Sequence, residues 1–248
     1  MTSTGEPIRA SHAVSEESAR ILKARKIEAL LPPGALRDGA AVLDIGTGSG
    51  WIAHYFAHHP QLKLTVAAAD ANDERVVKEG FSFARLAGPR LPFADASFDV
   101  VMSNHVIEHV GGDAEQLAHL REIRRVLRPG GVLYLAVPNR WSLVEPHYRL
   151  PLLSWLPAGL AKAYLQATGR GEWYDCKPLG PFESRGLFGR AEFEATDVAA
   201  QALVALVRLE RPSSRALALV AGAVSRYAAG LFGWLSPTLI FLLRPEAK

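Results

Sequence analysis

The sequence predicts an α/β protein built on a doubly wound, mostly parallel sheet, and three observations carry that prediction. The first is Ala41-Val42-Leu43-Asp44-Ile45-Gly46-Thr47-Gly48-Ser49-Gly50, an apolar run that breaks into alternating glycines. Val42, Leu43 and Ile45 read as a short buried strand. The glycines let the chain turn sharply and bring its backbone against a ligand, where a Cβ would intrude. The second is the helical pattern that follows, with Ile52, Tyr55 and Phe56 on one face of a segment that stops at Pro60. The third is the return of apolar runs and amphipathic stretches in alternation down the chain. Strand, glycine loop and helix in that order place a nucleotide-type site at the mouth of a parallel sheet.

Composition sets the outer limits. With 248 residues, 49% hydrophobic and 21% charged, the chain is long enough for one substantial core, a single domain over 1–248 with an appended or inserted cap. Twenty-eight basic against 25 acidic residues leave a net charge of +3. No segment concentrates it beyond Lys23-Ala24-Arg25-Lys26 and Arg121 to Arg128, so no nucleic-acid partner is expected. The single cysteine, Cys176, excludes an intramolecular disulfide and a cysteine-built zinc site. Met1 to Pro7 lacks the apolar core of a signal peptide, which makes a cytoplasmic, reducing home the expectation. No internal repeat or low-complexity segment is seen.

The elements follow in order. Ser15-Glu16-Glu17 opens a helix within 14–31 that shows Ile21, Ala24, Ile27 and Leu31 on one face and ends at Pro32-Pro33-Gly34. Leu62 to Ala69 is the second strand, tipped by Asp70. Asn72 caps a short helix that Gly80 stops. Asp70 lies 20 residues after Gly50, where an acidic residue comes over ribose hydroxyls, and its two acceptor oxygens match a vicinal diol. Phe81 to Leu86 is the third strand, and Ala94 to Asn104 gives a polar turn and then the fourth. Asp113 and Gln116 form a capping pair for a helix with Leu117, Leu120, Ile123, Val126 and Leu127 inward, and Val132 to Val137 is the fifth strand.

Two chemistries use such a glycine loop. Gly48-Ser49-Gly50-Trp51-Ile52-Ala53 meets the loose dinucleotide pattern, which keeps an NAD(P)-dependent oxidoreductase open as an alternative. Against it stands Asp44, whose carboxylate at the strand tip would repel a pyrophosphate and attract a cationic ligand. Asp44-Ile45-Gly46-Thr47-Gly48-Ser49-Gly50 resembles motif I, D/E-x-G-x-G-x-G, of class I S-adenosylmethionine-dependent methyltransferases. The Leu91-Pro92-Phe93, Phe98-Asp99-Val100-Val101 and Glu108-His109-Val110 pieces, in this order, are similar to the type 11 subgroup; together the resemblance spans about 41–139.

That resemblance implies a Rossmann-like sheet of seven strands with a late hairpin at one edge, and S-adenosylmethionine as cofactor. It implies cofactor contacts at Asp44, Gly46, Thr47, Gly48, Asp70, Ala71, Gly88 and Asn104. The family often carries an acid for the adenine amino group shortly before its Leu-Pro-Phe; Ala87 stands there, so that contact falls to backbone around Gly88. The first helix covers the cleft or the sheet edge, with Lys23, Arg25 and Lys26 as its solvated back.

His105, directly after the fourth strand, is a candidate base for an acceptor hydroxyl or amine. His109 reads as structural, and no metal is expected: H-E-x-x-H is absent and nothing nearby in sequence completes a site. His58-His59 suit a helix C-terminus before Pro60. Residues 140–181, rich in proline, aromatic and basic groups, read as a loop-like acceptor cap inserted after the fifth strand, with Glu145, His147, Tyr148 and Arg149 as polar anchors and His147 as the second catalytic candidate. In 182–248, Ser184 to Ala191 is a short helix, Glu192 to Val198 the sixth strand, Ser213 to Leu231 helical, and Thr238 to Leu243 the last strand. Arg226, Gly230, Gly233 and Ser236-Pro237 cut the apolar tail into pieces too short to span a bilayer; a surface-lying helix with Leu217, Val220 and Val224 toward lipid stays open, and with it peripheral membrane contact. The expected reaction is methyl transfer to a small-molecule, lipid or lipid-linked glycan acceptor. A catalytically silent, membrane-peripheral protein retaining the fold is a further alternative.

Overall fold

A computed structural model describes residues 17–246. The helix cap expected at Ser15 and the N-terminal stretch lie outside the described residues. Seven strands form one sheet: β1 (Ala41–Ile45), β2 (Thr65–Asp70), β3 (Ser82–Arg85), β4 (Phe98–Asn104), β5 (Leu127–Pro138), β6 (Phe193–Asp197) and β7 (Thr238–Pro245). Their order is β3-β2-β1-β4-β5-β7-β6. The first five pair in parallel, and β7 runs antiparallel to both β5 and β6. The chain order reverses between β1 and β4, the crevice where open α/β sheets hold ligands.

Alternation along the strands feeds two cores. Leu43, Ile45, Val101, Leu133 and Leu135 point to one face and pack with Leu120, Ile123 and Val126 of α3 (Asp113–Val126) and Leu187 and Phe188 of α5 (Pro181–Arg190). Val42, Val100, Met102, Tyr134 and Ala136 point to the other, against Ala24 and Ile27 of α1 (Glu17–Leu30), Ile52 and Phe56 of α2 (Trp51–Ala57) and Ala202 of α6 (Ala199–Glu210). Both faces are covered, as the doubly wound expectation requires.

The structure departs from the expected elements at several points. The segment 71–81 holds no helix; Val76 and Val77 instead donate their amides to Ser49 O, so this crossover is tied to the glycine loop. Gln116 caps nothing: it is buried, and its amide donates to Ile107 O and Lys177 O. In α1 the expected Ala24 and Ile27 are buried and Leu31 packs against the same core, with Leu30 buried besides and Ile21 half-buried. β5 starts at Leu127, through a bulge in which a Cβ on Gly131 would stand 2.9 Å from Arg128 O. The segment 140–181 is not all loop, since α4 (Ala158–Thr168) packs Ala161 and Leu165 on Leu150 and Leu153 as a small core of its own. After β6 comes α6, which the sequence reading lacked, and the expected helix over 213–231 is two, α7 (Arg215–Tyr227) and α8 (Ala229–Leu235), bent by 101°. No single helix among the described residues is long and apolar enough to cross a membrane.

Candidate cofactor and acceptor site

The glycine loop is held by its own carboxylates. Asp44 ends β1 at 2% exposure and accepts a 2.8 Å hydrogen bond from Thr47 Oγ1. Burial raises its pKa to about 7, helped by the charge of Asp70 and opposed by the Thr47 hydrogen bond and the charge of Arg20. Asp70, at the tip of β2, takes the Gly48 amide at 2.9 Å and the Asn72 amide at 3.3 Å, one on each carboxylate oxygen. It therefore braces the loop while standing half-exposed at its rim. Gly46, Gly48 and Gly50 all have positive φ (69°, 51° and 84°). A Cβ on Gly46 would lie 2.3 Å from Val106 Cγ2, so what fills that space is protein, the residue after His105.

The other expected cofactor contacts are spread along the rim. Ala71 is exposed and its carbonyl accepts from Arg85 Nε, Gly88 is exposed in the loop after β3, and Asn104 is half-buried at the carboxyl end of β4. α1 corrects one expectation. Lys23 is not part of a solvated back: enclosure lowers its pKa to about 8, with Arg20 and Lys26 adding to the shift and Glu108 opposing it. Arg20 feels Asp44 and Lys23 feels Glu108, so α1 turns two cations toward the cleft, while Arg25 is exposed. Arg20, Lys23, Ile27 and Leu30 recur at helical spacing.

Beyond β4 the structure gathers histidines and carboxylates. His105 sits at φ 58°, a strained left-handed position at the strand end. Its Nδ1 is 3.2 Å from Glu108 Oε1, and Glu108 is fully buried. Enclosure lowers the His105 pKa, against the pull of Glu108, which favours a neutral ring able to take a proton. His147 reaches the same carboxylate, Nε2 to Glu108 Oε1 at 3.7 Å, while its Nδ1 bonds Glu145 Oε1 at 2.9 Å. Burial opposes charge on His147, but Glu145, Glu108 and Asp175 outweigh it and raise its pKa. The rings of His105 and His109 stand 5.8 and 5.3 Å from that of His147. The two catalytic candidates, 42 positions apart, thus share one buried glutamate.

The segment 175–177, where the cap returns toward the sheet, completes the cluster. Lys177 N donates to Glu108 O at 2.7 Å, which sets Cys176 Sγ 3.8 Å from His109 Nδ1. Two donor groups result, His109 with His147 and Cys176, and His105 with Glu108 and His147. Sequence spacing gave no sign of either, because His147 and Cys176 arrive from the cap. Several cap aromatics serve packing: Tyr148, Tyr164 and Tyr174 pack on the cap core, and the Tyr148 hydroxyl bonds Trp173 O and Asp175.

With this geometry in view, comparison with known proteins is specific. Residues 43–135, from β1 to β5, match the family model of a methyltransferase domain. A ubiquinone biosynthesis O-methyltransferase of Parvibaculum lavamentivorans is 30% identical over 132 residues, 47% of this chain and 49% of that one. An uncharacterized methyltransferase of Mycolicibacterium gilvum is 36% identical over 99 residues, 38% of each chain. The chain thus spans about half or less of the length of these curated relatives. Among solved structures, a possible histamine N-methyltransferase from Thermotoga maritima has a TM-score of 0.53 at 16% identity, covering 92% of this chain and 89% of that one. The [4+2]-cyclase SpnF scores 0.52 at 15% identity, covering 98% of this chain and 87% of that one. Neighbours this distant establish the fold only, and a cyclase among them shows that the fold alone does not choose a reaction.

S-adenosylmethionine is the cofactor that the similarity to methyltransferase domains implies. The residues present fit it: Asp44 is a buried carboxylate whose charge Thr47, Ala53 and Arg20 offset only in part, and the ammonium of the cofactor's zwitterionic methionine portion would add to that offset. Asp44 and Arg20 can hold that portion, and Asp70 the ribose.

Proposed function

We propose that this protein transfers the methyl group of S-adenosylmethionine to a small-molecule or lipid-linked acceptor held between β4 and the segment 140–181. The observation that carries this reading is the His105–Glu108–His147–Glu145 chain, which joins the end of β4 to the cap. The bound cofactor supplies an electrophilic methyl on a sulfonium, so the protein has to hold the acceptor atom in line and at near-attack distance. Glu108 fixes the His105 ring through Nδ1, leaving Nε2 to take a proton from an acceptor hydroxyl or amine. His147, whose ring Glu145 holds through Nδ1, orients the acceptor by donating or accepting a hydrogen bond at Nε2. Asp44, Arg20 and Asp70 position the donor and take no part in proton movement.

A lipid acceptor is favoured by the outer surface. Trp141, Trp155, Leu160 and Trp173 on the cap, and Leu217, Leu219, Val220, Leu231 and Leu235 on α7 and α8, are exposed apolar side chains. Such faces, with Arg215 and Arg226 on α7, suit contact with an anionic membrane surface.

The test is a labelled-methyl transfer assay with purified protein on fractionated extracts of the native cell, aqueous and organic, alongside the Gly46→Val variant. Label entering the organic-extractable fraction with wild type and not with the variant supports the reading. Label confined to water-soluble products removes the lipid acceptor. No transfer into any fraction, with S-adenosylmethionine binding intact, refutes the activity.

A further inference from the structure

The group of donors around Cys176 has a composition that proton transfer does not call for. Cys176 is 7% exposed, and its thiol lies 3.8 Å from His109 Nδ1, with a ring nitrogen of His147 within 4.8 Å of both donor atoms. A tetrahedral ion with metal–nitrogen bonds of about 2.0–2.1 Å and a metal–sulfur bond of about 2.3 Å separates nitrogen from sulfur by roughly 3.6 Å. The thiol and His109 already stand near that spacing.

Three further features point to a cation. The Nδ1 of His147 is engaged by Glu145, itself 1% exposed, which is the carboxylate partner a metal-binding imidazole usually has on its far nitrogen. Glu108 is fully buried beside the cluster, and its Oε2 has no hydrogen-bond partner. An unsatisfied buried carboxylate oxygen is costly, and a nearby positive ion removes the cost. The donors are also locked by hydrogen bonds: Lys177 N to Glu108 O and the Gln116 side chain to both Ile107 O and Lys177 O fix the segment 175–177 against the 3-10 turn that carries His109.

We propose that His109, His147 and Cys176 form a binding site for a divalent transition-metal ion, zinc by the softness of the donor set, with Glu108 beside it. Three protein donors leave one position of a tetrahedron open, the arrangement of sites that bind an exchangeable oxygen or nitrogen ligand. Metal binding stands independently of the methyl-transfer reading; its use in holding an acceptor oxygen rests on that reading.

The full chain, stripped with a chelator and kept reduced, is titrated with cobalt(II) alone and followed by absorption. The expected result is a single ion per chain with intense tetrahedral d–d bands and a thiolate-to-cobalt charge-transfer band. Cys176→Ser and His109→Ala abolish that band and weaken binding at least about a hundredfold, while His105→Ala stays within about threefold of wild type. X-ray absorption of the zinc-loaded wild type, which needs no substitution to fold, should count one sulfur and two imidazoles. Failure of the wild type to bind cobalt or zinc overturns the site, as does a spectrum without sulfur ligation. Binding lost in His105→Ala and kept in Cys176→Ser overturns this donor assignment in favour of His105, Glu108 and His147. S-adenosylmethionine calorimetry on the same stripped protein keeps the two readings apart: cofactor binding without metal uptake sinks the site alone.

Discussion

Replacing Asp44 by Asn tests whether the strand-tip carboxylate is a poised, cation-seeking group. Asparagine keeps an oxygen to accept the 2.8 Å hydrogen bond from Thr47 and removes only the charge. In the folded protein Asp44 holds its proton up to about pH 7, against 3.8 for an unperturbed aspartate, with burial as the main cause. The sign follows from linkage. Between those two values the folded chain binds a proton that the unfolded chain has lost, so stability falls as pH rises through the window and stays reduced above about 7. At 1.36 kcal/mol for each pH unit, the ionisation costs roughly 4 kcal/mol of stability, an order-of-magnitude figure for so buried a group. Asp44→Asn should therefore match wild type below about pH 4 and exceed it by a few kcal/mol near pH 8, in denaturant unfolding without S-adenosylmethionine. The same variant should bind S-adenosylmethionine about ten- to a hundredfold more weakly, since it loses a charge-assisted contact. Wild-type binding should release protons near neutral pH, read by calorimetry in buffers of different ionisation enthalpy. Parallel stability curves for the two proteins across that range would refute the argument.

Three other perturbations probe separate parts of the site. Gly46→Val should abolish S-adenosylmethionine binding. The milder Gly46→Ala should destabilise the fold by ~2–5 kcal/mol, from positive-φ strain plus the collision with Val106, and Val106→Ala should recover part of that loss in a double-mutant cycle; strict additivity would place the blocked space elsewhere. Asp70→Ala should weaken cofactor binding by about 1.5–3 kcal/mol and loosen the loop it braces through Gly48 N, and unchanged affinity in a folded variant would remove it from the site. His147→Ala should lower turnover with donor affinity near wild type. Because charge on His147 is favoured in the folded state, the stability it contributes is present at acid pH and fades as pH rises through its raised pKa, so a variant whose deficit grew with pH would contradict the Glu145 pairing.

The sequence by itself placed the glycine loop between β1 and α2 and Asp70 at the tip of β2. β1, the glycine loop and α2 are contiguous in the chain, and Asp70 is placed by strand length alone, so local pattern and residue type sufficed to find them. Only the tertiary structure decided the rest. That Arg20 and Lys23 face the cleft depends on how α1 packs on α2 and α6, and the absence of a helix at 71–81 depends on Val76 and Val77 bonding Ser49. His105, Glu108, His109, Glu145, His147 and Cys176 come from three segments joined by long-range hydrogen bonds, through Lys177, Gln116 and Glu108. Periodicity carries no information across such gaps, because the contacts are set by how the cap folds back onto the sheet edge and by which buried carboxylates its histidines must satisfy.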